Sequence, residues 1–85
     1  MNIMAITTAF IVQSFTAGRG KALRADRQIR CNSAEAARRM AERLAATKLG
    51  VVAFSTSGDA ELGEFDDTPV ILFKAGQLPS AFEDT

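Results

Sequence analysis

The sequence contains no histidine, tryptophan or tyrosine, and its 85 residues include a single cysteine. Histidine is the side chain most often used for acid–base catalysis near neutral pH and for binding transition metals. Cys31 cannot form an internal disulfide, has no histidine to activate it as a nucleophile, and is expected to pack as a small apolar side chain. A small enzyme would need a site built from Cys31 and carboxylates alone. We therefore predict no catalytic residue, no metal site and no cofactor.

The chain also lacks an apolar run long enough to cross a membrane as a helix. Residues 1–15 are largely apolar, but polar residues at positions 7, 8, 13 and 14 interrupt the run, and no basic residue precedes Arg19. A spanning helix needs roughly 20 apolar residues, and a signal peptide begins with positive charge. We interpret this segment as a buried strand and expect a cytoplasmic protein.

Length and composition indicate one small folded domain. Hydrophobic residues form 47% of the chain and charged residues 24%, close to the averages of globular proteins. A chain of this size builds one hydrophobic core rather than two. We predict a single domain over residues 1–79, followed by a frayed acidic tail over residues 80–85.

The first half of the chain predicts a hairpin. Residues 9–15 are rich in β-branched and aromatic side chains, and the two glycines within residues 16–21 suit a reversal. A second strand over residues 23–31 alternates with period two. Its apolar side chains, predicted to share one face, are Leu23, Ala25, Ile29 and Cys31. Arg27 falls on that apolar face, so either the face extends beyond the helix there or a bulge near Asp26 turns Arg27 outward.

An amphipathic helix is predicted next. Asn32 and Ser33 are both good N-cap residues, and Gly50 suits the left-handed position after a helix that ends at Leu49. The apolar stripe consists of Ala37, Met40, Ala41, Leu44 and Ala45. On the opposite face, the four-residue spacing predicts the ion pairs Glu35–Arg39 and Arg38–Glu42.

The second half predicts another hairpin and completes the fold. Residues 51–56 and 70–74 have strand composition, and the acidic segment 57–67 between them is expected to be a turn and loop. The elements then follow the order ββαββ. This order predicts an α+β fold, a two-layer sandwich in which one helix packs on one face of a four-stranded, mainly antiparallel sheet.

A single helix leaves the other face of such a sheet uncovered. Exposed apolar patches of this kind usually mark interfaces. We therefore predict a non-catalytic binding or interaction module that forms a homodimer through the uncovered face or a strand edge. Phe10, Ile11 and Val12 of the first strand are the expected contacts.

The distribution of charge provides an alternative. Residues 1–50 carry nine basic and three acidic residues, a net charge of +6, whereas residues 51–85 carry one basic and seven acidic residues, a net charge of −6. Arginine side chains suit phosphate, so the alternative function is nucleic-acid or phosphate-ligand binding. Its expected contacts are Arg19, Lys21, Arg24, Arg38, Arg39 and Arg43. Against it, the net charge of the chain is zero and no aromatic residue is interleaved for base stacking.

The acidic residues of the second half do not follow a calcium-loop pattern. They are Asp59, Glu61, Glu64, Asp66 and Asp67. Gly63 lies one position too early for such a loop, and a third short ligand is missing from the required spacing. We expect a solvated turn.

Two short stretches resemble known proteins. Phe10-Ile-Val-Gln-Ser-Phe15 resembles the first strand of peptidoglycan-binding SPOR domains over six residues, but that family enters a helix where this chain has a second strand. The second half of the chain is similar to short bacterial proteins of unknown function in Val51-Val-Ala-Phe-Ser55, Gly58-Asp59, Gly63-Glu64, Asp67, Pro69-Val-Ile-Leu72 and Gly76-Gln-Leu-Pro79. That resemblance implies a small α/β fold and no activity.

Overall fold

The computed structural model of the chain describes residues 6–20, 22–59, 62–65 and 68–83. They form an α+β fold in which a mostly antiparallel sheet carries one 11-residue helix, and the α+β class agrees with the prediction. The strands are β1 (Ile6–Ala17), β2 (Leu23–Ala25), β3 (Ile29–Cys31), β4 (Gly50–Asp59), β5 (Glu64–Phe65) and β6 (Val70–Gly76), and the helices are α1 (Ala34–Leu44) and α2 (Ser80–Glu83). Neither helix of this described part is long and apolar enough to cross a membrane.

The sheet is built around the long pair β1 and β4. These two strands pair antiparallel without a register shift from Ile6–Asp59 to Phe15–Gly50. β2 and β3 lie one after the other along the outer side of β1, and β5 and β6 do the same along β4. The predicted count of four strands in ββαββ order therefore differs in detail, because the two outer strands are each divided in two.

A bulge divides the predicted second strand. Ala25 lies opposite Phe15, and Ile29 lies opposite Val12, so three residues of the outer strand face two residues of β1. This extra residue is the mark of a β-bulge. Arg27 lies within it and is exposed, which supports the second of the two explanations offered for its position.

Because of the bulge, the prediction of a single apolar face on the second strand is wrong. Because an extra residue reverses the alternation of side chains, Leu23 packs on the face away from α1, whereas Ile29 and Cys31 pack on the face that α1 covers. Ala25 is exposed. The four apolar residues of the predicted strand therefore do not share one face.

Helix α1 begins where the sequence predicts and ends earlier. Ser33 is the N-cap, and its hydroxyl accepts a hydrogen bond from the Ala36 backbone N–H at 3.0 Å. The helix ends at Leu44 rather than Leu49, and the chain turns through residues 45–47. Gly50 does not have a positive φ and instead begins β4, so its predicted role at the helix C-terminus is wrong.

The main core lies between α1 and the sheet. Ala37 and Ala41 of the helix are fully buried against Val12, Val51 and Ala53. The small helix side chains allow a close approach to the two central strands, which is why their β-branched residues lie at 0% exposure. Partly buried side chains complete the cluster at its margin, and these include Phe10, Cys31, Met40, Leu44 and Phe73.

A second apolar cluster covers part of the face away from α1. Phe15, Val52 and Leu78 are buried there. Residues 80–83, predicted to belong to a frayed tail, form α2, and Phe82 places its ring 6.4 Å from the ring of Phe15 and 6.0 Å from that of Phe54. This end of the face is therefore sheltered within the chain, and residues 84–85 lie outside the described residues.

Part of the acidic segment, predicted to be a turn and loop, forms paired strands. Residues 57–59 continue β4 instead of forming a turn, and β5 pairs with Gly58 and Asp59. The reversal falls at Leu62 and Gly63, where Gly63 has a φ of 70°. Residues 60–61 and 66–67 lie outside the described part of the chain.

Two glycines allow the segment after β6 to pass close to the start of β4. A Cβ on Gly50 would fall on the backbone oxygen of Gln77, and a Cβ on Gly76 would fall on that of Leu49. Gln77 N–H donates to the Leu49 carbonyl at 2.9 Å across this crossing. The crossing directs Leu78 and α2 onto the face away from α1.

We expect Gly76→Ala to destabilise the protein more than Gly63→Ala. Both positions have positive φ, which costs an L-residue about 1–2 kcal/mol, but a Cβ at Gly63 meets nothing within 4 Å. At Gly76 the added clash with rigid backbone contributes about 1–3 kcal/mol more. Urea unfolding of the two variants measures this difference, and equal losses would show that the crossing is not tightly packed.

Candidate interaction surface

Two outer edges of the sheet carry features that discourage pairing with another strand. The edge formed by β2 and β3 is interrupted by the bulge and carries exposed Arg24, Arg27 and Arg30. The β6 edge has a register irregularity opposite Ala53 and Phe54 and carries exposed Lys74. Charges and bulges are the usual protection of exposed strand edges.

The N-terminal part of β1 has no such protection. Ile6–Ala9 pairs with β4 on one side. On the other side, β3 pairs only with Phe10–Val12, and β2 pairs only with Phe15–Ala17. Among the described residues, no strand lies beside Ile6–Ala9 on this side, which we call the free edge. The segment Ile6-Thr7-Thr8-Ala9 has no charge, proline or glycine.

The hydrogen bonds of β1 show which backbone groups point to the free edge. Ser14 accepts from Asp26 N–H, and Gly18 donates to Ala22, so even-numbered residues point toward the β2 and β3 side. Phe15 accepts from Leu49 N–H on the β4 side. Since successive residues of a strand alternate and the β1–β4 register is continuous, the N–H and C=O of Ile6 and Thr8 point outward at the free edge.

The exposed apolar side chain at this end of the strand is Ile6. Its relative exposure is 55%. It lies on the same sheet face as Phe10, which is opposite Cys31, and both of those residues border the core beneath α1 without being fully buried. The free edge therefore adjoins the open margin of the main core.

The structure separates the three predicted interface residues. Val12 is fully buried beneath α1, and Phe10 packs against the same cluster. Only Ile11 faces away from α1, because neighbouring residues of a strand point to opposite faces. There it lines a shallow hollow together with Ala9, Gln28, Arg30 and Thr56. This hollow is one part of the predicted uncovered face, away from Leu78 and α2.

The described residues among the predicted basic contacts lie on α1 and on the first hairpin, and a further arginine, Arg30, lies on the other face of the sheet. Arg30 is opposite Ile11 and so shares the face away from α1. Arg38, Arg39 and Arg43 are exposed on α1, which packs on the other face. Arg19 and Arg24 are exposed on the first hairpin, and Lys21 lies outside the described residues. Arg24 is opposite Thr16 and so lies on the face that α1 covers. The arginines of the helix and of β3 therefore do not form one surface.

Acidic side chains on the helix neutralise part of its basic surface. Arg39 Nη2 lies 3.1 Å from Glu35 Oε1, as predicted. Arg38 Nη2 lies 3.8 Å from the same oxygen, rather than pairing with Glu42. Both contacts are exposed, which limits their contribution to stability.

The described residues contain no cluster of three or more His, Cys, Asp or Glu side chains that could hold a metal ion. Asp59 accepts a hydrogen bond from the Leu62 backbone N–H at 3.3 Å, as expected for a residue beside a turn. Glu61, Asp66 and Asp67 lie outside the part that the structure describes. Cys31 is partly buried against the core, with its thiol free.

A polar cluster around Asp26 is not predicted by the sequence pattern. Its carboxylate accepts hydrogen bonds from Ser14 Oγ at 2.9 Å and Thr16 Oγ1 at 3.3 Å, and it lies 3.5 Å from Lys48 Nζ. The Gln13 side-chain amide donates to the Asp26 backbone carbonyl. Gln13 and Ser14 are buried, so these bonds satisfy polar groups inside the sheet. The available signal was the Gln-Ser pair in an otherwise apolar strand.

The cluster stabilises the ionised form of Asp26. The Ser14 hydrogen bond, followed by the charge of Lys48 and the Thr16 hydrogen bond, lowers the pKa of Asp26 below its ordinary value despite partial desolvation. All of these groups are engaged with one another across β1, the bulge and the turn before β4. The cluster therefore holds the bulge in place against β1.

The described residues form an α+β fold with a mostly antiparallel sheet, and the free edge of β1 carries no charge, proline or glycine. Comparison of the chain with protein-family models, curated proteins and solved structures finds no match.

The Asp26 cluster predicts a pH dependence of stability. Because folding lowers the pKa of Asp26, its contribution is present above the unfolded carboxyl pKa of about 3.9 and is lost as the pH falls through the folded value. We expect the wild type to be more stable than Asp26→Asn near pH 6 and the difference to shrink below about pH 4. Urea unfolding between pH 6 and 3 measures this difference, with Glu42→Gln on the exposed helix face as the control. A difference that does not vary with pH would contradict the assignment.

Proposed function

We propose that this protein is a non-catalytic interaction module that forms a homodimer by pairing the free edge of β1 with the free edge of a second copy. The observation that carries this proposal is the contrast between edges. The β2–β3 edge and the β6 edge have bulges and charges, whereas Ile6–Ala9 has neither.

The chemistry of the free edge supports a second copy as the occupant. In a two-fold contact the same segment is present on both sides of the interface, so a charged segment would bring like charges together. Ile6, Thr7, Thr8 and Ala9 are uncharged. The β-branched side chains of Ile6, Thr7 and Thr8 also suit an extended conformation. The same segment can therefore act as both partners.

Edge pairing of this kind limits the assembly to a dimer. A contact between identical surfaces is closed once two copies have joined, whereas a contact between different edges continues into a filament. The paired segment is only a few residues long, and small interfaces belong to weak and transient complexes. We therefore expect association at high micromolar concentrations.

The basic surfaces support nucleic-acid binding less well. Arg30 and the arginines of α1 lie on opposite sides of the sheet, and two of the helix arginines contact Glu35. Phosphate backbones bind to continuous basic surfaces. This separation is the reason that the proposal relies on the free edge.

Replacement of Thr8 tests whether its outward backbone N–H takes part in the proposed dimer contact. Thr8→Pro removes an N–H that points to the free edge and leaves the β1–β4 hydrogen bonds in place. Thr8→Val is the matched control, because both variants lose the Thr8 hydroxyl, which lies 2.8 Å from Ser57 Oγ, but only proline loses the N–H. Size-exclusion chromatography with light scattering should show a dimer for the wild type and Thr8→Val and a monomer for Thr8→Pro.

Two results would contradict the proposal. A wild-type protein that stays monomeric at high micromolar concentration has no self-association to explain. A Thr8→Pro variant that dimerises as well as Thr8→Val shows that the dimer uses another surface. Circular dichroism and urea unfolding establish that both variants are folded.

A further inference from the structure

We infer that the two-fold axis of this homodimer passes beside Thr7, so that Thr7 faces Thr7 of the partner and Ile6 of each copy covers Phe10 and Cys31 of the other. This inference rests on the proposed function and specifies its register.

Symmetry and side-chain alternation restrict the register. Two strands that pair antiparallel in one sheet are related by an axis perpendicular to the sheet, which keeps each face on the same side. Residues directly opposite each other must point to the same face. Even-numbered residues of β1 therefore oppose even-numbered residues of the partner, and the axis lies beside a residue rather than between two.

Hydrogen-bond counting favours Thr7 over Thr8 as that residue. With the axis at Thr7, Ile6 faces Thr8 of the partner and Thr8 faces Ile6 of the partner. Both pairs use backbone groups that point outward, so four hydrogen bonds form. With the axis at Thr8, only the pair of Thr8 residues forms two bonds. Ile6 would then need Phe10, whose outer side already pairs with Cys31.

The Thr7 register also covers an exposed apolar side chain. The partner strand continues the line of β3, and the partner's Ile6 lies two residues beyond Cys31 in that line, about 7 Å away. It points to the face that α1 covers, as Phe10 and Cys31 do. The contact therefore extends the partly buried margin of the core over Ile6, which is 55% exposed in one chain.

Cysteine crosslinking reads the register directly. In a Cys31→Ala background, Thr7→Cys places two thiols at a pair that is not hydrogen-bonded, with Cα atoms about 4.5 Å apart, inside the range of a disulfide. Thr8→Cys is the matched control, because Thr8 would lie about 8 Å from its counterpart, beyond that range. Under mild oxidation we expect a covalent dimer of the first variant and not of the second.

Other outcomes distinguish a wrong register from a wrong proposal of dimerisation. Preferential crosslinking of Thr8→Cys would move the axis to Thr8 and overturn the inference while supporting edge pairing. If neither variant crosslinks although light scattering detects the dimer, the inference is also overturned. A wild type that is monomeric throughout would remove the proposed function itself.

Truncation of Ile6 tests the predicted side-chain contact. Ile6→Ala should weaken dimerisation about tenfold or more, because two copies of the side chain lose apolar burial. Val70→Ala is the control, since Val70 is 62% exposed on a different edge and should leave the dissociation constant unchanged. Sedimentation equilibrium measures both constants. Equal effects of the two substitutions would place the contact elsewhere.

Discussion

The uninterrupted pairing of β1 with β4 is the constraint on which the rest of the structure depends. Its register is continuous from Ile6–Asp59 to Phe15–Gly50. That continuity determines which side chains of β1 lie beneath α1 and which face the second apolar cluster. It also determines which backbone groups point away from β4, and so it defines the chemistry of the free edge. A shift of this register by one residue would move the side chains of one strand to the opposite face of the sheet.

The bulge around Asp26 adapts the outer strand to this rigid pair. By inserting one residue it turns Arg27 to solvent and moves Leu23 to the opposite face from Ile29 and Cys31. Leu23 therefore packs in one apolar cluster, and Ile29 and Cys31 pack in the other. At the bulge the Asp26 backbone carbonyl accepts a hydrogen bond from the Gln13 side-chain amide, and the Asp26 carboxylate accepts from Ser14 and Thr16. The bulge also protects this edge from pairing with other strands.

The candidate interaction surface is the part of β1 that the outer strands do not cover. β1 continues beyond the start of β3, so Ile6–Ala9 has a neighbour on one side only among the described residues. The other edges have bulges and charges that discourage pairing, whereas this one has uncharged residues and outward backbone groups. The hollow around Ile11 lies on the face that α2 does not reach. The outward backbone groups of Ile6 and Thr8 are the basis of the proposed pairing with a second copy.

Local chemistry in the sequence determined the amphipathic helix, its Ser33 N-cap, the two hairpins around it and the α+β class, because caps, turns and periodicity act over a few residues. The sequence also indicated a bulge as one of two explanations for the position of Arg27 on the predicted apolar face. Tertiary structure alone decided the length of β1, the closure of the core over Val12, the separation of the arginines and the identity of the free edge. Each of these depends on pairing between segments far apart in the chain, and a strand has no edge until its neighbours are in place.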